Sequence, residues 1–223
     1  MSELWIVPTP IGNLADLTFR AKEVLESVDI ILAEDKRQTS KLLNHYGIRN
    51  HLLAYHQHNE NKISVDLLKR ILAGETMAIV TDGGTPLISD PGFPLVRECI
   101  KNNVEVHCLP GATAFTTAIA ISGLPVNRFC FEGFLAHKKG RNKRLASLAN
   151  ETRTMVFYES PHRISKTLKE MISTFGSERR ASVSRELTKI YEETKRGTLE
   201  ELSEYFNDNA PKGEFVIVVS GKE

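Results

Sequence analysis

The run Met77-Ala78-Ile79-Val80-Thr81-Asp82-Gly83-Gly84-Thr85-Pro86, continuing to Ile88-Ser89-Asp90-Pro91-Gly92, constrains the fold more than any other stretch. Four consecutive apolar residues suit a strand covered on both faces, the pattern of a parallel sheet. Asp82-Gly83-Gly84 then stops the strand and opens a loop whose missing Cβ atoms let the backbone approach a ligand. Asp90-Pro91 reads as an N-cap followed by proline at the first helical position, with a helix running on through Leu95, Val96 and Cys99. Strand, glycine loop and helix in that order set the loop at the carboxyl edge of an α/β sheet, where open sheets take small molecules. A plain βα turn with no ligand has the same signature.

The chain repeats this alternation. Strands are expected over 4–7, 30–33, 52–55 and 104–109. Between them come a helix with Ala21, Val24, Leu25 and Val28 on one face, and a short one through Leu42 and Leu43 ended by Gly47. Another carries Val65, Leu68, Ile71 and Leu72, and a helix of small residues is expected over 112–121. Gly123-Leu124-Pro125-Val126-Asn127 reads as a linker, giving an N-terminal α/β domain over 1–122 and a C-terminal α+β domain over 123–223. Strands over 129–131, 154–158, 181–184, 191–196 and 215–219, with helices over 161–175 and 198–206, predict a mixed sheet in the second domain. The fold class is α/β, with a mainly parallel first sheet.

Composition narrows the function. A hydrophobic content of 41% with 26% charged residues is ordinary for a globular chain. A formal net charge of +1 provides no global attraction to nucleic acid, so any basic surface is local. Cys99, Cys108 and Cys130 show no Cys-x-x-Cys spacing, which disfavours a disulfide framework or zinc site and suits the cytoplasm. No signal-peptide pattern or membrane-length apolar run is visible, so a soluble protein is expected.

Neither Gly-x-Gly-x-x-Gly nor Gly-x-x-x-x-Gly-Lys-Ser/Thr occurs, so the glycine loop suits a ligand with little phosphate, such as an adenosine derivative. Glu34-Asp35, Asp82 and Glu159 close predicted strands; they either cap the helices that follow or converge on a crevice. Arg185, Glu186 and Lys189 lie just past an apolar strand, as a self-paired surface cluster or as the border of a cleft between domains. Lys138, Lys139, Arg141, Lys143 and Arg144 place five basic residues among seven. They form either a solvated loop and helical turn or a footprint for RNA phosphates. His56 and His58 have no evident third ligand, so no metal is expected.

At this point the residues resemble ribosomal RNA small subunit methyltransferase I, a branch of the tetrapyrrole methylase superfamily. The matching segments are Val7-Pro8-Thr9-Pro10-Ile11-Gly12-Asn13-Leu14, Ala33-Glu34-Asp35, Gly84 through Gly92, Leu109-Pro110-Gly111-Ala112-Thr113-Ala114, Tyr158-Glu159-Ser160-Pro161-His162-Arg163 and Arg185-Glu186-Leu187-Thr188-Lys189. Lys36 and Gly83 stand where Thr and Ala are usual, and Ala136 where Pro is common. The resemblance implies a two-domain class III methyltransferase fold, S-adenosylmethionine (S-adenosyl-L-methionine) in the cleft between the domains, and a homodimer. The implied reaction methylates the ribose 2′-hydroxyl of a cytidine in the decoding region of 16S rRNA, with the small ribosomal subunit as partner. By motif position Pro10, Thr85, Ile88, Thr113 and Ala114, with Asp82 and Gly84 of the glycine loop, line the cofactor site. Tyr158 and Phe215 approach it from the second domain.

Under this reading Lys189 or Arg185 stabilises a developing alkoxide and Glu186 orients it, while Glu34-Asp35 binds the nucleotide or accepts the proton. The chain ends at Glu223, without the helical extension of longer members, so the basic stretch 138–144 is expected to carry RNA affinity. Two other readings fit the residues: a methylase of a small corrin precursor, and a non-catalytic adenosine-binding module associated with the ribosome.

Overall fold

The structure, a computed structural model, describes residues 2–208 and 212–222. The chain forms two compact units, Met1–Thr113 and Ala114–Glu223. In the first, the apolar tetrapeptides form a five-stranded, all-parallel sheet. Its strands are β1 (Glu3–Ile6), β2 (Ile30–Ala33), β3 (His51–Ala54), β4 (Met77–Val80) and β5 (Glu105–Cys108), in the order β3-β2-β4-β1-β5.

Every residue of β2 and β4 is buried, because alternate side chains meet two helical layers. On one face Met77 and Ile79 join Leu67, Leu68 and Ile71 of α3 (Glu60–Leu72) and Leu95 and Cys99 of α4 (Phe93–Lys101). On the other, Ala78 and Val80 join Ala21 and Leu25 of α1 (Phe19–Ser27) and Leu43 of α2 (Lys36–Tyr46). Each large aliphatic side chain buried this way contributes about 1.5–3 kcal/mol. Strand β5, at the sheet edge, is only half covered.

Two local expectations are corrected. In α3 the buried stripe is Ser64, Leu67, Leu68 and Ile71, while Val65 and Leu72 are half exposed; the helical period turns them away from the sheet. Helix α4 begins at Phe93 after Gly92, with Pro94 in its first turn, so Asp90 is not its cap. The reason is the loop's path. Leu87 and Ser89 adopt positive φ (71° and 69°), folding the loop back so that Leu87 packs on Gly92. The Gly92 N–H at the helix start is satisfied from α3, by Glu60 Oε2 at 2.9 Å.

The second unit holds a mixed sheet of β6 (Phe129–Phe134), β7 (Thr154–Glu159), β8 (Arg180–Arg185), β9 (Glu193–Thr198) and β10 (Phe215–Val219), ordered β6-β7-β10-β8-β9. Only β6 and β7 run parallel. Met155, Phe157, Ile217 and Val219 form its core with Leu145 of α6 (Arg141–Leu148), Leu168 and Met171 of α7 (Ile164–Phe175), and Leu202 and Phe206 of α8 (Leu199–Asp208). The small-residue helix α5 (Ala114–Ile121) packs on β10 and β7, as its side-chain sizes allow.

Gly92 has φ +139°, and a Cβ there would lie 2.8 Å from Leu87 Cγ and Cδ1. Gly92→Ala is therefore expected to lower stability by about 1–3 kcal/mol, measured by urea unfolding. An unchanged midpoint would show that the loop relaxes freely.

Candidate functional site

The connections out of β1 and β2 enter α1 and α2 on one face of the first sheet. That of β4, which lies between them, leads to α4 on the other. Neighbouring connections that leave in opposite directions open a crevice at the carboxyl edge. Three loops meet there. Thr9 and Gly84 exchange both backbone hydrogen bonds, each 2.9 Å. The Thr85 hydroxyl donates to the Ala112 carbonyl at 3.1 Å and shares a 2.6 Å hydrogen bond with Thr113 Oγ1. Gly111 admits no side chain, since a Cβ there would lie 2.5 Å from Pro8 Cβ.

The loops after β1, β4 and β5 therefore form one piece that gathers Pro10, Asp82, Gly84, Thr85, Ile88 and Thr113. Residues 7–14, 82–92 and 109–113 contain no Lys or Arg. Backbone groups, hydroxyls and small apolar side chains without a cation suit a neutral or positively charged ligand lacking phosphate, and in this respect fit an adenosine sulfonium.

Carboxylates converge beside this cradle. Asp35 N–H donates to Asp82 Oδ1 at 3.2 Å and Asp82 N–H to Glu34 Oε2 at 3.4 Å. Asp35 caps α2 through the Arg37 N–H at 2.8 Å and pairs with the Arg37 guanidinium, which pulls its carboxyl down to about 2. Glu34 moves the other way, raised by burial and by the charge of Asp82. Asp82 is raised by burial and by the charge of Asp35, against the pull of the Asp35 N–H. Asp90, read from sequence as a helix cap, is pushed up to about 7, first by burial and then by the charge of Glu34. Its Asp-Pro-Gly context looks like an ordinary helix start, so only the folded path of residues 87–92 identifies it. His56 interacts electrostatically with Glu34, and its buried Nδ1 has no hydrogen-bond partner. Among the described residues, the one cluster of possible metal ligands is Glu3, Glu105 and His107, on β1 and β5.

In the second unit Ala114 opens α5, and the next residue's N–H, that of Phe115, donates to Tyr158 Oη at 3.3 Å. Phe215 is buried in its own unit. With Ile217 and Val219 it faces the unit's core, 2% exposed and packed edge-on to Phe206. Arg185 Nε pairs with Glu193 at 2.7 Å, and Lys189 Nζ with Glu186 at 2.8 Å and Glu214 at 3.3 Å. Burial alone would raise Glu186 and lower Lys189, but their mutual pairing, with help from Glu214, outweighs it in both. Glu186 and Thr188 adopt positive φ (49° and 66°), the same backbone strain seen at Leu87 and Ser89.

The basic segment divides. Lys138, Lys139 and Lys143 are exposed, and Arg144 forms a two-pronged pair with Glu132. Arg141 is not a phosphate contact: it is 3% exposed, with Nε on Glu170 and Nη2 on Thr167, both at 2.6 Å. Glu159, 1% exposed, is occupied inside the same network by Arg163 at 2.7 Å and Thr167 at 2.6 Å. Arg141 Nη1 and Arg163 Nη1 reach on to the carbonyls of Ala136 and Leu135.

The profile of the tetrapyrrole (corrin/porphyrin) methylases matches residues 3–203. A relative from Xylella fastidiosa named ribosomal RNA small subunit methyltransferase I is 51% identical over 98% of this chain and 81% of its own length. One from Thermotoga maritima with the same name is 45% identical over the full length of both. Among solved structures, uroporphyrin-III C-methyl transferase from Thermus thermophilus, complexed with S-adenyl homocysteine, has the same fold. Its TM-score is 0.67, with 19% identity over 99% of this chain and 97% of that one.

Two outcomes are expected. With Asp90 raised to about 7 from an ordinary 3.8, the folded state holds that proton more tightly than the unfolded chain. Its contribution to stability is complete below the unfolded value and is lost as pH rises towards 7. Asp90→Asn should flatten the fall in unfolding free energy across that window, and identical pH profiles for both proteins would rule out the raised value. Arg141→Ala removes the 2.6 Å partners of Glu170 and Thr167 while Glu159 keeps Arg163, and should cost about 1–3 kcal/mol in urea unfolding; a loss near zero would return Arg141 to the surface.

Proposed function

We propose that this chain, which belongs to the tetrapyrrole (corrin/porphyrin) methylases and to their ribosomal RNA small subunit methyltransferase I branch, methylates the ribose 2′-hydroxyl of a cytidine in 16S rRNA. The target lies in the decoding region, and the donor is S-adenosylmethionine. The observation that carries this reading is the joined, cation-free cradle of the β1, β4 and β5 loops, in a chain about half identical to proteins of that name.

S-adenosylmethionine, when bound, supplies an already activated methyl group. Pro10, Gly84, Thr85, Ile88 and Thr113 hold it by backbone and small-side-chain contacts. The protein's remaining work is to position the hydroxyl, worth on the order of 7–11 kcal/mol, and to manage its proton, worth roughly 10²–10⁴-fold. Arg185 and Lys189 stabilise the developing oxyanion, Arg185 oriented by Glu193 and Lys189 by Glu186. Glu34 and Asp90, both raised, are the proton acceptors, whereas Asp35 serves α2 and Arg37. Lys138, Lys139 and Lys143 meet RNA phosphates, each contact releasing counterions. No helix among the described residues is long and apolar enough to cross a membrane, and the setting that suits the substrate is the cytoplasm, with the enzyme a homodimer.

The test is transfer of label from radiolabelled S-adenosylmethionine to unmodified small subunits, followed by mapping of the labelled nucleotide. Label is expected on one decoding-region cytidine ribose; label elsewhere, or none, overturns the assignment. Arg185→Ala and Lys189→Ala should each lower turnover by roughly 10²–10³-fold, and wild-type turnover in both would remove them from the reaction.

A further inference from the structure

A cavity of ≈ 290 Å³ lies within the first unit, between the β1 loop, α2 and the end of β4. We infer that it is the pocket for the target pyrimidine base, a reading that rests on the RNA methylation proposed above. The topology creates it: the connections of β1 and β2 rise on one face while that of β4 between them turns to the other, opening a gap at the end of β4. Its size is at the low end of small-molecule pockets, roughly 300–1,000 Å³, which suits one small ring and excludes a tetrapyrrole.

Pro10, Leu14 and Leu42 supply apolar walls, and Thr39, Lys41 and Asp82 bring polar atoms. Leu14 is held in place by the Tyr46 hydroxyl, which donates to its carbonyl. The decisive group is Thr39. It is 4% exposed, it lines the cavity, and its Oγ1 has no hydrogen-bond partner. A threonine inside a helix ordinarily turns its hydroxyl back to a preceding carbonyl, and a buried hydroxyl left unpaired is destabilising. Asp82 Oδ1 is used by the Asp35 N–H, leaving Oδ2 without a hydrogen bond among the described residues. Among the described residues Lys41 is held only by Gln38 Oε1, at 3.1 Å.

With the Thr81 hydroxyl, also unpaired, and the Gln38 amide that holds Lys41, the polar set therefore offers the Asp82 carboxylate as acceptor and hydroxyl and ammonium donors. Unstacked bases are read in this way along their Watson–Crick edge. Cytosine presents its N4 amino donor to Asp82 beside the N3 and O2 acceptors for Thr39 and Lys41; uracil sets O4 against the carboxylate and an N3–H donor against the protein's donors.

Thr39→Val removes the hydroxyl while keeping the shape. It is expected to leave the urea midpoint unchanged or higher and to raise KM for small subunits by about tenfold. Affinity for S-adenosylhomocysteine, measured by calorimetry, should remain that of the wild type. A second readout needs no turnover: cytidine added to methyl-labelled wild-type protein should shift the Thr39 and Leu42 methyl resonances more than uridine does. Methyl resonances that ignore cytidine overturn the inference. So does a Thr39→Val protein that loses S-adenosylhomocysteine affinity, which would assign the cavity to the donor. If wild-type protein labels no RNA while cytidine still shifts Thr39, the proposed reaction fails and the base pocket stands.

Discussion

The constraint beneath the first unit is the position of β4 between β1 and β2. A parallel strand buried on both faces can send its chain to either helical layer, and here the middle strand chooses the layer its neighbours avoid. A gap at the carboxyl edge follows from connectivity alone, before any side chain is considered. The paired hydrogen bonds between Thr9 and Gly84, and those of Thr85 with Ala112 and Thr113, then stiffen the rim of that gap. Residues drawn from three separate loops thereby share one rigid base.

The two units treat charge differently. At the edge of the first sheet, Glu34, Asp82 and Asp90 crowd one another, and all three are raised above their ordinary values. In the second unit the charges near β7 and β8 are matched within short distances: Arg141 and Arg163 with Glu159, Arg185 with Glu193, Lys189 with Glu186. Perturbed carboxylates in a crevice mark chemistry more often than matched pairs do. Backbone strain adds to the case for both motif loops, since Leu87, Ser89, Glu186 and Thr188 all adopt positive φ.

Much of this was legible in the residues because the apolar runs are short and cleanly bounded. Both sheets, the all-parallel first and the mixed second, follow from Met77-Ala78-Ile79-Val80 and its counterparts. Pro10, Gly84, Thr85 and Thr113 follow predicted strands at one sheet edge, which is why they come together. Legibility failed where local patterns compete with tertiary ones. Asp90-Pro91 is an ideal helix start locally, but Leu87 folds the loop onto Gly92 and Glu60 supplies the cap from another helix. Arg141 belongs to a basic run, and only the distant partners Thr167 and Glu170, with buried Glu159 behind them, withdraw it from the surface. Thr39 carries no motif at all; its interest is an unpaired hydroxyl in a cavity, which no linear pattern encodes.

The two guanidiniums that reach the carbonyls of Ala136 and Leu135 have a thermodynamic consequence for the lysines that follow. A polyanion docking onto a floppy loop must first freeze its backbone, at about 1–2 kcal/mol per residue. Anchored at its root to a buried carboxylate, the peptide bearing Lys138 and Lys139 has paid part of that ordering penalty during folding. Its cations are held as a preset comb rather than on a loose tether.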